Sequence, residues 1–150
     1  MRAKCLILAA FLLLAASTPT PAWALGRVPG APSPEPVDVF QTGGDAVHYS
    51  STPPPTISAH GWWLDRDSGG AKAKVTVELQ IQSGGSWRTV ATGSKTVKQG
   101  GGSARRANAR KTCVGTRSTT WRSRVDVDII GVADSPNKLE TPGKTFNCGV

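Results

Sequence analysis

By type and spacing, the residues best suited to chemistry are cations. Between Leu79 and Val125 the chain has no acidic residue, yet it carries Arg88, Lys95, Lys98, Arg105, Arg106, Arg110, Lys111, Arg117, Arg122 and Arg124. At the centre of this stretch, in GGGSARRANARKTC, the glycines at 100–102 lead into Arg105, Arg106, Arg110 and Lys111. Like charges gathered in one segment raise a local positive potential that draws polyanions and speeds their encounter. The arginine bias adds a planar fork able to grip phosphate or carboxylate with two hydrogen bonds, where lysine acts as a point charge. The segment 100–118 therefore reads as a basic loop behind a flexible glycine hinge. It is either a surface for an anionic partner or a solvated loop that keeps a basic protein soluble.

Other reactive types are sparse. His48 and His60 are the two histidines, and no elbow of the GxSxG kind is present to expose a strained serine nucleophile. Asp65, Asp67 and Gly70 match the first, third and sixth positions of a calcium loop, but Thr76 stands where a bidentate glutamate is required. Asp126 and Asp128 alternate with Arg122 and Arg124 along one strand face, which suits a solvated cross-strand charge ladder. No metal or cofactor is expected from these patterns. The tryptophans give a second candidate surface. Trp62 and Trp63 are adjacent, so in a strand they point to opposite faces, one buried and the other surfacing beside His60 and Asp65. An exposed tryptophan stacks on a sugar ring or anchors a protein partner, unless the proline-rich segment described below covers it.

These residues need elements to hold them, and the pattern from Thr56 onward is β. In KVTVELQIQ, at 74–82, Val75, Val77, Leu79 and Ile81 share one face and polar residues the other. Such period-two alternation marks a half-buried strand. Ser83-Gly84-Gly85-Ser86 then turns the chain into a hairpin partner at 87–92. In TWRSRVDVDII, at 120–130, Trp121, Ser123, Val125, Val127 and Ile129 face inward. Weaker candidates lie at 57–64, 95–98, 109–114 and 145–150. Trp87 and Trp121 fall at inward positions and are expected in the core. About six short antiparallel strands with glycine-rich turns predict two packed sheets.

Ahead of this domain the character changes twice. Arg2 and Lys4 precede an apolar run at 6–16, and Ala22-Trp23-Ala24 offers small residues for a signal peptidase, so cleavage after Ala24 is expected. The run is too short to span a bilayer of about 30 Å, and no membrane span is predicted. Residues 25–55 hold Pro29, Pro32, Pro34, Pro36, Pro53, Pro54 and Pro55 and read as an extended arm or linker. Within it, 37–40 and 46–50 could form short edge strands about a turn at Gly43-Gly44. An exported chain meets an oxidising compartment, so of the three cysteines Cys113 and Cys148, left after the signal is removed, are expected to pair. The domain is then 56–150. With a net charge of +8 over 150 residues and 38% hydrophobic content, a large enzyme core, a membrane bundle and a coiled coil are excluded.

The residues Leu79-Gln80, Gly84-Gly85, Trp87, Val90-Ala91 and Trp121-Arg122 carry a resemblance. Over about 60 residues the sequence resembles the bacterial immunoglobulin-like β-sandwich modules common in secreted actinobacterial proteins. It departs from them in the basic insert and the cysteine pair. The resemblance implies an all-β, immunoglobulin- or fibronectin-like sandwich and assigns no functional residue. It is also similar to small secreted actinobacterial proteins, which adds no chemistry.

Three functional readings follow. The first is a non-catalytic secreted binding protein that engages an anionic cell-wall polymer, or an extracellular protein, through Arg105, Arg106, Arg110, Lys111, Arg117, Trp62 and Trp63. Nucleic acid is disfavoured because stacking aromatics are not interleaved with the cations. The second is an inhibitor of an extracellular hydrolase, with Arg110-Lys111 as a disulfide-braced reactive segment. The third is a small enzyme using His60, Asp65 or Asp67 in a cleft. The oligomeric state is not legible.

Overall fold

Nine strands run through the described residues of the computed structural model, which are 40–66, 70–133 and 138–150. They are β1 (Gln41–Gly44), β2 (His48–Ser50), β3 (Thr56–Leu64), β4 (Lys72–Ser83), β5 (Ser86–Lys98), β6 (Ala107–Thr112), β7 (Ser118–Ile129), β8 (Leu139–Glu140) and β9 (Lys144–Asn147). The signal segment 1–24, residues 25–39 of the arm, and Asp67 lie outside the described residues.

Every pairing is antiparallel. In the smaller sheet β3 is central: β6 runs along one edge, while β1 and β2 follow one another along the other. In the larger sheet the order is β5–β4–β7, with β8 and β9 in succession along the far edge of β7. Each sheet thus has one outer strand broken in the middle. The two sheets pack face to face as a small β-sandwich, as the alternation at 74–82 and 120–130 predicts.

The alternating strands supply the core. Val75, Val77, Leu79 and Ile81 of β4 and Trp121, Val125, Val127 and Ile129 of β7 are buried from one side. Ile57, Ala59 and Trp63 of β3 and Ala107 and Ala109 of β6 close it from the other. Burial of this apolar surface stabilises the fold by roughly 25 cal/mol per Å². On the outer face of the larger sheet charges pair across strands. Arg124 meets Glu78 at 2.7 Å and Arg122 meets Glu140 at 2.6 Å, while Lys138 bonds Asp126. Two arginines of the long acid-free stretch are thereby neutralised locally.

Cys113 and Cys148 form a disulfide across a sequence separation of 35. Cys113 follows β6 in the smaller sheet and Cys148 follows β9 in the larger, so the bond staples one layer to the other. Beside it the Val114 amide donates to the Gly149 carbonyl at 2.7 Å.

The structure revises several sequence expectations. The sheets take in β1 and β2, so the folded domain begins before residue 56, and Gly43-Gly44 lies within β1 rather than at a turn. The segments at 87–92 and 95–98 are one strand, β5. Trp87 is not in the core. A bulge between Leu79 and Gln80 leaves Leu79 opposite Ala91 but Gln80 opposite Thr89, so one residue of β5 is unpaired. A slip of one residue sends each following side chain to the other face. Trp87 lies before that slip: the two-residue turn at Gly84-Gly85 sets it opposite the outward-facing Gln82, so it stands on the outer face, half-buried under the Arg122 guanidinium at 4.4 Å.

Candidate functional site

The break between β1 and β2 sets up the most reactive cluster. Val47 turns inward and is buried, which leaves Asp45 suspended over β3. Three hydrogen bonds clasp Asp45 to His60. The Asp45 amide donates to the His60 carbonyl at 3.1 Å, and the His60 amide donates to Asp45 Oδ1 at 2.6 Å. His60 Nδ1–H donates to Asp45 Oδ2 at 2.8 Å. A carboxylate held in this way fixes the orientation of the imidazole and leaves Nε2 as its second working nitrogen.

Alternation along β3 places Ser58, His60 and Trp62 on the face turned away from the core. Antiparallel register then brings their neighbours: His48 of β2 lies opposite Ser58, and Arg110 of β6 lies on Ser58's other side. His48 Nε2 and Ser58 Oγ are 2.9 Å apart. The His48 and His60 rings lie near each other, with centroids 5.2 Å apart and planes inclined by 18°. One donor atom from each of Asp45, His48 and His60 lies within 4.8 Å of the others.

Beside this cluster the glycine-rich segment folds into a tight turn rather than a free hinge. The Gly100 amide donates to the Trp63 carbonyl at 2.8 Å, and Lys95 Nζ donates to the Ala104 carbonyl at 2.9 Å. Arg105 donates to the Gln99 carbonyl at 2.8 Å. Arg106 Nε donates to the Gly101 carbonyl, its guanidinium covers the Trp62 ring at 4.6 Å, and NH1 is 3.7 Å from Asp45 Oδ2. An open hollow of about 780 Å³ lies between this turn and the two sheets. Lys95, Arg106, His60, Asn108, Ser94 and Ser103 line it, and none of its lining residues is acidic. Gly93 makes the corner possible: a Cβ there would stand 1.9 Å from the Asn108 carbonyl oxygen.

The residues singled out from sequence are dispersed. Arg106 and Arg110 share the outer face of the smaller sheet with the histidines. Lys111 pairs with core residue Ile57 and so emerges on the opposite side, half-buried at the rim. Arg110-Lys111 lies inside β6, paired to β3, so the segment 100–118 is not one loop and these two residues do not form a protruding segment. Arg117 is exposed between β6 and β7. Trp63 is fully buried, donating to the Val97 carbonyl at 3.2 Å, and cannot touch a ligand. Trp62 is half-buried beneath Arg106 rather than offered as a free stacking surface. His60 takes Asp45 as its carboxylate partner.

Asp45 and His48 are the site residues that the sequence pattern does not mark. The face shared by Ser58, His60 and Trp62 was legible from alternation. The bend that swings Asp45 over His60, and the pairing that sets His48 beside it, carry no local signal.

Fold and site together define a small disulfide-braced antiparallel β-sandwich with a cationic, histidine-bearing outer face. Comparison with protein-family models, with curated proteins and with solved structures finds no match.

Proposed function

We propose that this is a non-catalytic secreted binding protein that holds an anionic cell-envelope polymer in the hollow between β3, β5, β6 and the turn before β6. The observation that carries this reading is the convergence of Lys95 and Arg106 on an open hollow with hydroxyl-bearing neighbours and no acidic lining. Hydrogen bonds to backbone carbonyls and the Trp62 ring hold both cations in place, so little side-chain freedom is lost when an anion binds. Arg110, exposed on the same face, extends the positive surface beyond the hollow. A polymer with repeating phosphate or carboxylate groups suits such a surface, because successive charges engage successive cations. Export by an N-terminal signal cleaved after Ala24, and a place among immunoglobulin-like modules, belong to the same proposal. Among the described residues no helix is long and apolar enough to cross a membrane.

Co-sedimentation with isolated cell wall at about 50 and about 500 mM salt tests the reading, since screening shortens the reach of such attraction several-fold over that range. Retention should fall with salt and fall again when Lys95, Arg106 and Arg110 are changed to Ser. Retention indifferent to both would overturn it.

A further inference from the structure

We propose that Asp45, His48 and His60 form a binding site for one divalent transition ion of the zinc type, on the outer face of the smaller sheet. The inference goes beyond polymer binding and does not depend on it.

The donor chemistry comes first. Two imidazoles and a carboxylate are the nitrogen and oxygen donors that borderline ions such as Zn²⁺ prefer, and three protein ligands leave a fourth position for water or an anion. Spacing comes second. At Zn–N distances of about 2.0–2.1 Å, tetrahedral ligand atoms lie about 3.3 Å apart, and two imidazoles sharing an ion hold their centroids roughly 5 Å apart. The His48 and His60 rings are stacked with centroids 5.2 Å apart, so the exposed His48 ring turns to bring its nitrogen into line. Donor atoms that lie within 4.8 Å of one another draw in to about 3.3 Å, and His60 Nδ1 and Asp45 Oδ2 are already 2.8 Å apart. The carboxylate and the first imidazole need only spread by about half an ångström to take an ion between them. The ion replaces the proton now on His60 Nδ1, and that proton leaves to solvent.

Outer contacts hold the ligands in position, as metal sites require. Asp45 Oδ1 keeps its bond from the His60 amide at 2.6 Å, so the carboxylate stays aimed when Oδ2 turns to the ion. On the other side, the buried Ser58 hydroxyl can accept Nε2–H of His48 at 2.9 Å. That leaves His48 Nδ1, whose nearest partner is the Ala46 carbonyl at a long 3.5 Å, as the nitrogen for the ion. All three ligands come from one bend and two paired strands, so the folded sheet brings them together before any ion arrives.

Arg106 opposes the ion. Its NH1 lies 3.7 Å from Asp45 Oδ2 and competes with a cation for the same oxygen. This gives the test a signed control. Removing the guanidinium should tighten ion binding while it weakens retention on an anionic polymer.

The experiment is titration calorimetry of the purified, disulfide-intact protein, free of any histidine tag, with Zn²⁺ in phosphate-free buffer. One ion per chain is expected, bound in the micromolar range, with Co²⁺ giving a visible absorption band at the same stoichiometry. His48→Gln and His60→Gln should each weaken binding at least tenfold, with unchanged near-ultraviolet circular dichroism confirming the fold. Arg106→Gln should strengthen it two- to fivefold. Absence of uptake at millimolar Zn²⁺, or uptake that neither histidine variant alters, would overturn the site. A chain that takes up no ion yet sediments with cell wall in a salt-sensitive manner overturns the ion site alone. Ion uptake without such retention supports the ion site and overturns the polymer reading alone.

Discussion

The buried Ser123 hydroxyl lies 3.3 Å from the Asp45 carbonyl oxygen and 3.1 Å from Thr141 Oγ1. Asp45 sits in the break of one sheet's outer strand, and Thr141 sits in the break of the other's. The Ser123 amide also donates to Thr141 Oγ1 at 2.9 Å, and the Thr141 amide donates to the Ser123 carbonyl at 2.9 Å. One small polar side chain, set between Trp121 and Val125 in the buried row of β7, thus ties both interruptions together through the sandwich interior. The residue that clasps His60 is fixed from behind by the core.

Changing Ser123 to Ala should therefore reach the outer face. The substitution removes a buried hydroxyl and leaves the Asp45 carbonyl oxygen without that donor, while Thr141 Oγ1 keeps its bonds to the residue 123 amide and carbonyl. Losses of this kind cost about 1–3 kcal/mol. Urea denaturation should show a lower midpoint with an unchanged slope. Ion uptake at Asp45, His48 and His60 should weaken in step, because the bend that carries Asp45 has lost its anchor.

Gly93 offers a purely steric test. A Cβ there meets the Asn108 carbonyl oxygen at 1.9 Å, and a backbone atom cannot rotate away as the tip of a side chain can. Gly93→Ala should destabilise the protein by about 2 kcal/mol or more as β5 is pushed off β6. Gly102 is the control, since nothing lies within 4 Å of a Cβ there and its φ of −71° suits any residue. Thermal melts should separate the two clearly, with Gly102→Ala close to the parent.

The staple between the layers should be worth more than either. A disulfide that closes a loop across a sequence separation of 35 restricts the unfolded chain by roughly 3–4 kcal/mol in the chain-entropy treatment. The Cys113→Ser, Cys148→Ser double variant should lose about that much stability in denaturant titrations. Cys148 is fully buried against Trp121, whose Nε1–H donates to the Cys148 carbonyl at 3.3 Å, so near-ultraviolet circular dichroism should change as well.

Sequence carried the interior of the fold and little of its surface. Val75, Val77, Leu79 and Ile81 announce their common face because neighbouring side chains in a strand must alternate, and the core uses that face. Trp87 breaks the inference that a large apolar residue marks the core, since the two-residue turn sets it opposite the outward-facing Gln82, where the Arg122 guanidinium covers it. Arg110 and Lys111 fall both in the basic segment 100–118 and in the weak strand candidate 109–114, and the structure places them in a strand, β6, which the burial of the small residues Ala107 and Ala109 makes. His48 and His60 are separated by a proline-rich stretch, and only the antiparallel pairing of β2 with β3 brings them together. Long-range register of this sort has no local signature, so the cluster becomes visible only in the folded chain.

The outer face of the larger sheet yields the last expectation. Arg122 donates through NH1 and NH2 to the two Glu140 oxygens at 2.6 and 2.8 Å, and through Nε to Gln80 Oε1 at 2.8 Å. Its central carbon Cζ also lies over the Trp87 ring, 4.4 Å from the centroid. An ordinary surface ion pair contributes about 0–1 kcal/mol, but this guanidinium is largely buried and uses its fork and its flat face at once. Lysine preserves the charge and loses both the fork and the stacking. Arg122→Lys should then cost about 1–2 kcal/mol, approaching the effect of Arg122→Ala, whereas a pair held by charge alone would leave lysine close to the parent. A double-mutant cycle with Trp87→Leu separates the stacking contribution, and a coupling of about 0.5–1 kcal/mol is expected from chemical denaturation. A coupling near zero, with lysine fully tolerated, would show that Trp87 is covered by Arg122 without being held by it.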